Sequence, residues 1–111
     1  LRLRPVCFTM PSSPPSSDLL RVGVVGAGAI ALDQHVPGWL TSPHAKVAAI
    51  ADPVAAARHH AQRELAGVHT VADYRRLLDA PSLELIDRCG PGARHAGMDI
   101  AALDSGKHVL C

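Results

Sequence analysis

Aromatic side chains are scarce in this chain of 111 residues: Phe8, Trp39 and Tyr74 are the whole set. That scarcity excludes a stacking platform for single-stranded nucleic acid and leaves the core to aliphatic side chains. An excess of one charge is also lacking. Eleven Lys and Arg are interspersed with ten Asp and Glu, for a formal charge of +1, so no basic stripe addresses nucleic acid or an anionic membrane. Cysteine is limited to Cys7, Cys89 and Cys111, widely spaced and without a C-x-x-C pair. This excludes a disulfide framework and a zinc knuckle and fits a reducing compartment, the cytoplasm. No apolar run reaches the roughly 20 residues that span a bilayer.

Histidine is plentiful but does not assemble a metal site on paper. His59 and His60 are neighbours on an expected helix and point about 100° apart. His95 and Asp99 have i, i+4 spacing but no third ligand, which makes them a surface pair, and no metal is expected. Residues 1–18 are rich in serine and proline, carry Arg2 and Arg4, and lack the sustained apolar run of a signal peptide, so they read as a disordered leader. With Leu1 as the first residue and Met10 shortly before the first strand, the natural start is expected at Met10.

The informative segment is Arg21-Val22-Gly23-Val24-Val25-Gly26-Ala27-Gly28-Ala29-Ile30-Ala31, an apolar strand that breaks into G-x-G-x-x-A and enters a helix. Gly26 permits a tight turn, Gly28 leaves room for backbone N–H groups to approach a pyrophosphate, and Ala31 lets the helix pack closely on the strand. The helix start offers unpaired N–H donors and partial positive charge. A second apolar strand, residues 45–52, ends in Asp52, near the roughly 20-residue spacing at which an acid meets the adenosine ribose. Such a carboxylate accepts from ribose hydroxyls and repels a 2′-phosphate. No Ser-Arg or Arg-Arg pair follows it, so the pattern predicts NAD rather than NADP. Asp52 has a second reading as the N-cap of the next helix, with Pro53 at the first position.

Short apolar strands alternate with helical patterns from Leu19 onward, which predicts an α/β fold: a Rossmann-like parallel sheet with helices on both faces, in one domain over residues 19–111. Strands are expected at 21–25, 45–52, 68–71, 83–89 and from 107. Helices are expected at 29–40, where Pro37 ends or kinks the run, at 53–65, after Asp73, and at 93–105. Val54, Ala57, Ala61 and Leu65 form the apolar stripe of the second helix, and Ala96, Ile100 and Leu103 that of the last.

Several segments together resemble the N-terminal domain of the glucose-fructose oxidoreductase and inositol dehydrogenase family (Gfo/Idh/MocA). They are residues 21–31, Ala49-Ile50-Ala51-Asp52, Asp73-Tyr74-Arg75-Arg76-Leu77-Leu78, Cys89-Gly90-Pro91-Gly92-Ala93-Arg94-His95, and residues 102–111, which read A-L-x-x-G-K-H-V-L-C. The resemblance implies an NAD- or NADP-binding domain whose partner domain holds a sugar, polyol or related substrate. It implies that Gly26, Gly28, Ala29 and Ile30 line the pyrophosphate, Asp52 the ribose, and Gly90, Pro91 and His95 the nicotinamide side. For His95, a side chain that bonds its own loop is an equal alternative.

Two departures stand out. The family continues past L-C with Glu-Lys-Pro, whose lysine acts on the substrate hydroxyl, whereas this chain ends at Cys111. Lys107 belongs to the preceding element and is no substitute. No catalytic residue is therefore expected here, and the chain alone is expected to be inactive. Arg88 stands where a buried strand normally carries an aliphatic residue. It must escape to the strand end or meet Asp52 or a phosphate. The leading expectation is the cofactor half of an oxidoreductase acting on CH–OH groups, truncated in or after its fifth strand. The alternatives are a stand-alone nucleotide-binding or sensing module and a non-functional fragment.

Overall fold

The computed structural model describes residues 19–89 and 95–110. Five strands, β1 (Leu20–Val25), β2 (Ala45–Ala51), β3 (His69–Val71), β4 (Leu85–Arg88) and β5 (His108–Leu110), form one sheet in the order β3-β2-β1-β4-β5. Every pairing is parallel. A strand in the middle of such a sheet is covered on both faces, which is why β1 reads as an almost unbroken apolar run.

Helices cover the two faces. On one face Val22, Val24, Val47 and Ile50 pack with Ala31 and Val36 and with Ala61 of α2 (Ala55–Glu64). On the other, Val25, Ala49, Ala51 and Ile86 pack with Leu77 of α3 (Arg75–Leu78) and Ala102 of α4 (His95–Asp104). The buried core residues are Val, Ala, Ile and Leu, so the core is aliphatic as the composition implies. Gly23 belongs to the second face: a Cβ there would sit 3.0 Å from Leu83 Cδ1, 3.2 Å from Ile86 Cδ1 and 3.3 Å from Leu77 Cδ1. The glycine lets these three side chains close over the strand.

Three details differ from the sequence reading. The pairing of β1 with β2 shifts between Val22 and Gly23, whose partners are Val47 and Ala49. Ala48 is an extra residue that lets Ala48 and Ala49 both join the second face. The helical run 29–41 continues past Pro37: a π-helical stretch at Ala31–His35 leads into α1 (Val36–Thr41), with Val36 N–H donating to Ala31 O. The wider turn eases the proline ring past the carbonyl four residues earlier. In α4 the side chains that pack inward are Ala102 and Met98, whereas Ile100 is 56% exposed, so the expected stripe is rotated. Val54, assigned to the stripe of α2, is exposed ahead of that helix.

Candidate functional site

β1, β2 and β4 end side by side, because Val25 pairs with both Ala51 and Arg88. The segments that leave these three strands therefore start at one edge of the sheet, where an open α/β sheet receives its ligand. Gly26 turns the chain with φ 104°, a left-handed conformation that suits glycine, and its N–H is fixed to Ala51 O at 2.7 Å. The first helical bond is Leu32 N–H to Gly28 O at 3.0 Å. The N–H groups of Gly28, Ala29 and Ile30 precede it and have no acceptor within the helix, so they remain available to an anion. A Cβ at Gly28 would meet nothing within 4 Å. Protein packing does not require glycine there, whereas a ligand approaching the backbone would. Ala31 is buried against β1, the close helix–strand contact expected of the third motif position. Ile30 is 54% exposed and offers an apolar surface beside the turn.

Asp52 ties this turn to the second strand. Its Oδ2 accepts from Ala27 N–H at 2.9 Å and its Oδ1 from Val54 N–H at 2.8 Å. The bond to Val54 is an Asx turn two residues on, and Val54 occupies the cap position of α2. The N-cap reading of Asp52, with Pro53 as the first helical residue, is thus replaced by a turn-bracing one. Each carboxylate oxygen keeps a second lone pair for a ribose hydroxyl. Arg58 folds back over this corner, with Nη1 donating to Asp52 O at 2.8 Å and Pro53 O at 3.1 Å. Inspection of the residues adjoining Asp52 missed this cation, because it reaches the corner from α2.

Gly90 and Pro91 lie outside the described residues, as does the side chain of His95, whose backbone opens α4. Arg88, the last residue of β4, reaches α4. Its Nε donates to Asp99 Oδ1 at 2.7 Å, with the Arg88 side chain only 9% exposed. Asp99 is thereby a partner of β4. Lys107 is buried, and its Nζ donates to Ala80 O and Leu83 O, each at 2.7 Å. Among the described residues, the side chain the sequence reading missed is Asp87 of β4. It is fully buried and accepts from His35 Nδ1 and Trp39 Nε1, at 2.9 and 2.8 Å.

A cavity of about 380 Å³ lies elsewhere, on the α3 face, lined among others by Arg21, His69, Arg76 and Leu83. Arg21 is the second residue of β1 and His69 the first of β3, so this part of the cavity sits away from the edge that carries Gly26 and Asp52.

Residues 20–111 match the family model GFO_IDH_MocA, described as an oxidoreductase family with an NAD-binding Rossmann fold. The chain belongs to this family. Inositol 2-dehydrogenase of Streptomyces avermitilis is 37% identical over 95 residues, covering 86% of this chain and 28% of that protein. A dTDP-3,4-didehydro-2,6-dideoxy-alpha-D-glucose 3-reductase of Streptomyces violaceoruber is 35% identical over 91 residues, covering 82% of this chain and 26% of its own length. The solved structure of KijD10, a 3-ketoreductase from Actinomadura kijaniata in complex with NADP and TDP-benzene, superposes with a TM-score of 0.77 at 30% identity. That match covers 83% of this chain and 28% of KijD10. The chain thus spans little more than a quarter of the length of these relatives and is an NAD(P)-binding Rossmann domain of the Gfo/Idh/MocA family. Among the described residues no helix is long and apolar enough to cross a membrane.

Proposed function

We propose that this Gfo/Idh/MocA domain supplies the cofactor half of a cytoplasmic oxidoreductase that moves a hydride between a nicotinamide dinucleotide and a CH–OH group of a sugar, polyol or related compound. The observation that carries the reading is the joint built by Asp52, whose two oxygens hold Ala27 of the glycine turn and Val54 beyond β2. It brings an unpaired helix start and a ribose acceptor to one corner. In this reading Gly26, Gly28, Ala29 and Ile30 bind the pyrophosphate and Asp52 the adenosine ribose. Gly90, Pro91 and His95 lie toward the nicotinamide. The substrate pocket and the acid–base group come from polypeptide outside the described residues, since Lys107 is held by two carbonyls. The sugar nucleotide named for KijD10 and the inositol named for the dehydrogenase support a polyhydroxylated substrate.

NAD is the preferred dinucleotide in this reading, because a 2′-phosphate would meet the Asp52 carboxylate. Arg58 is the cation that would offset that repulsion, and KijD10 was solved with NADP. Titration of the protein with NADH and NADPH, followed by nicotinamide fluorescence, tests both points. Asp52→Ala is expected to weaken NADH about tenfold while narrowing or reversing the preference over NADPH. Equal losses for both dinucleotides would reduce Asp52 to a brace of the turn. Tighter NADPH binding by the unaltered protein would overturn the NAD preference.

A further inference from the structure

The geometry points to Asp87 as a positioning residue for the dinucleotide: through His35 and Trp39 it locks the helical run after the glycine turn onto β4, so that turn and strand present one preformed edge to the ligand. The inference rests on the cofactor-binding reading above and adds to it a residue that touches no cofactor atom.

The clamp is built from one fully buried carboxylate and two N–H donors on one helical run. His35 Nδ1 lies 2.9 Å from both oxygens, and Trp39 Nε1 lies 2.8 Å from Oδ2. Carboxylate oxygens only accept, so Nδ1 carries the proton and the ring is held in one orientation. The donors are four residues apart, so they lie on the same side of the helix, one turn from each other. Two directional bonds to one fixed group define both the rotation of the helix and its position along β4. Asp87 itself pairs with Val24, two residues before Gly26, so the clamp lies directly beneath the phosphate turn.

Packing alone does not account for a carboxylate here. Aliphatic side chains line both faces of the sheet, and a buried charge with its partners is often replaced by apolar residues at no loss of stability. What an apolar replacement gives up is direction. A helix held only by Val22, Val24 and their neighbours can rotate or slide by fractions of an ångström. Such a displacement carries the N–H groups of Gly28, Ala29 and Ile30 away from the place a pyrophosphate must occupy.

Cys89 completes the surroundings, with Sγ 3.6 Å from Asp87 Oδ1. Together His35, Asp87 and Cys89 offer three ligand atoms within 4.8 Å of one another, the arrangement a metal ion would use. Against a metal, the carboxylate already accepts from two N–H groups. The site is explained without an ion.

The experiment compares the unaltered protein with Asp87→Val, His35→Leu and His35→Asn for binding of NADH and of adenosine, which lacks the phosphates that the turn would hold, alongside urea unfolding. Asp87→Val is expected to unfold at the same or higher urea concentration, to bind NADH about tenfold more weakly, and to bind adenosine as before. His35→Leu should behave alike, and His35→Asn, whose Nδ2 can stand in for Nδ1, should recover most of the affinity. A folded Asp87→Val or His35→Leu protein with unaltered NADH affinity overturns the inference, and so does an equal loss for adenosine, which would mean general damage. If Asp87→Val does not fold, the two His35 variants decide by the same criteria. Stoichiometric uptake of zinc from zinc sulfate that is lost in Cys89→Ser also overturns it. If the unaltered protein binds neither NADH nor NADPH, the cofactor reading fails and this inference fails with it. If the unaltered protein binds NADH and the folded variants bind it equally well, the inference alone fails.

Discussion

Asp87 and Lys107, the buried charged residues among those described, each have a specific attachment. Lys107 holds the carbonyls of Ala80 and Leu83, where the chain turns from α3 toward β4. Cys89 is the described cysteine with a shifted thiol. Burial raises it first, and the charge of Asp87 and the hydrogen bond to it add to the effect, from 9.0 to about 12. An acid whose pKa is higher folded than unfolded favours the fold only while both states keep the proton. That contribution is complete below pH 9 and declines as pH rises toward 12, because the unfolded chain loses the proton first. Alkylation of Cys89 by iodoacetamide at pH 8, followed site by site by mass spectrometry, should therefore run far slower than in the urea-unfolded chain. Equal rates would show that the thiol is neither shielded nor held protonated. At this scale the place of Asp52, just past β2 and beside the glycine turn, was legible, because a carboxylate at a strand end after a glycine turn has a fixed spacing. Asp87 was not, because its partners lie 52 and 48 residues away in the chain and no local pattern joins them.

The elements were read well where periodicity and punctuation agree, and poorly where packing chose between similar residues. The order of five strands and the helices between them follows from apolar runs separated by Gly, Pro and Asp. The inward face of α4 does not: in a helix as apolar as His95–Asp104, several stripes are almost equally hydrophobic. The ion pair of Arg88 with Asp99 helps determine which one faces the sheet. That pair also explains how an arginine sits in β4. Asp99→Ala should lower stability by about 2 kcal/mol in urea unfolding, since it removes a charge-assisted bond from a mostly buried guanidinium. A change within a few tenths of a kcal/mol would mean that other contacts of Arg88 carry it. The bulge at Ala48 was illegible for a similar reason: in Ala-Lys-Val-Ala-Ala-Ile-Ala one small apolar residue more or less leaves no trace in the pattern.

For the molecule as a whole, β1 is the hub. It pairs with β2 on one side and β4 on the other, while β3 and β5, three residues each, form the margins of the described sheet. Backbone amide exchange should follow this arrangement, slowest in β1, β2 and β4 and faster in β3 and β5. Uniform protection across all five strands would contradict it. Bound NADH should slow exchange in residues 26–31 and in the amides of Ala27 and Val54 that Asp52 already holds.

The long reach of the bonds around the turn has a consequence for synthesis. Ala27 can meet Asp52 only after the second strand has left the ribosome, and His35 can meet Asp87 only after the fourth has followed. The joint between the glycine turn and the end of β2 can therefore close while the nascent chain is still being extended, and the clamp on β4 waits for most of the domain. On the cofactor reading, dinucleotide capture waits for β4, and a ribosome stalled before Asp87 emerges would present a glycine turn that cannot yet hold its ligand.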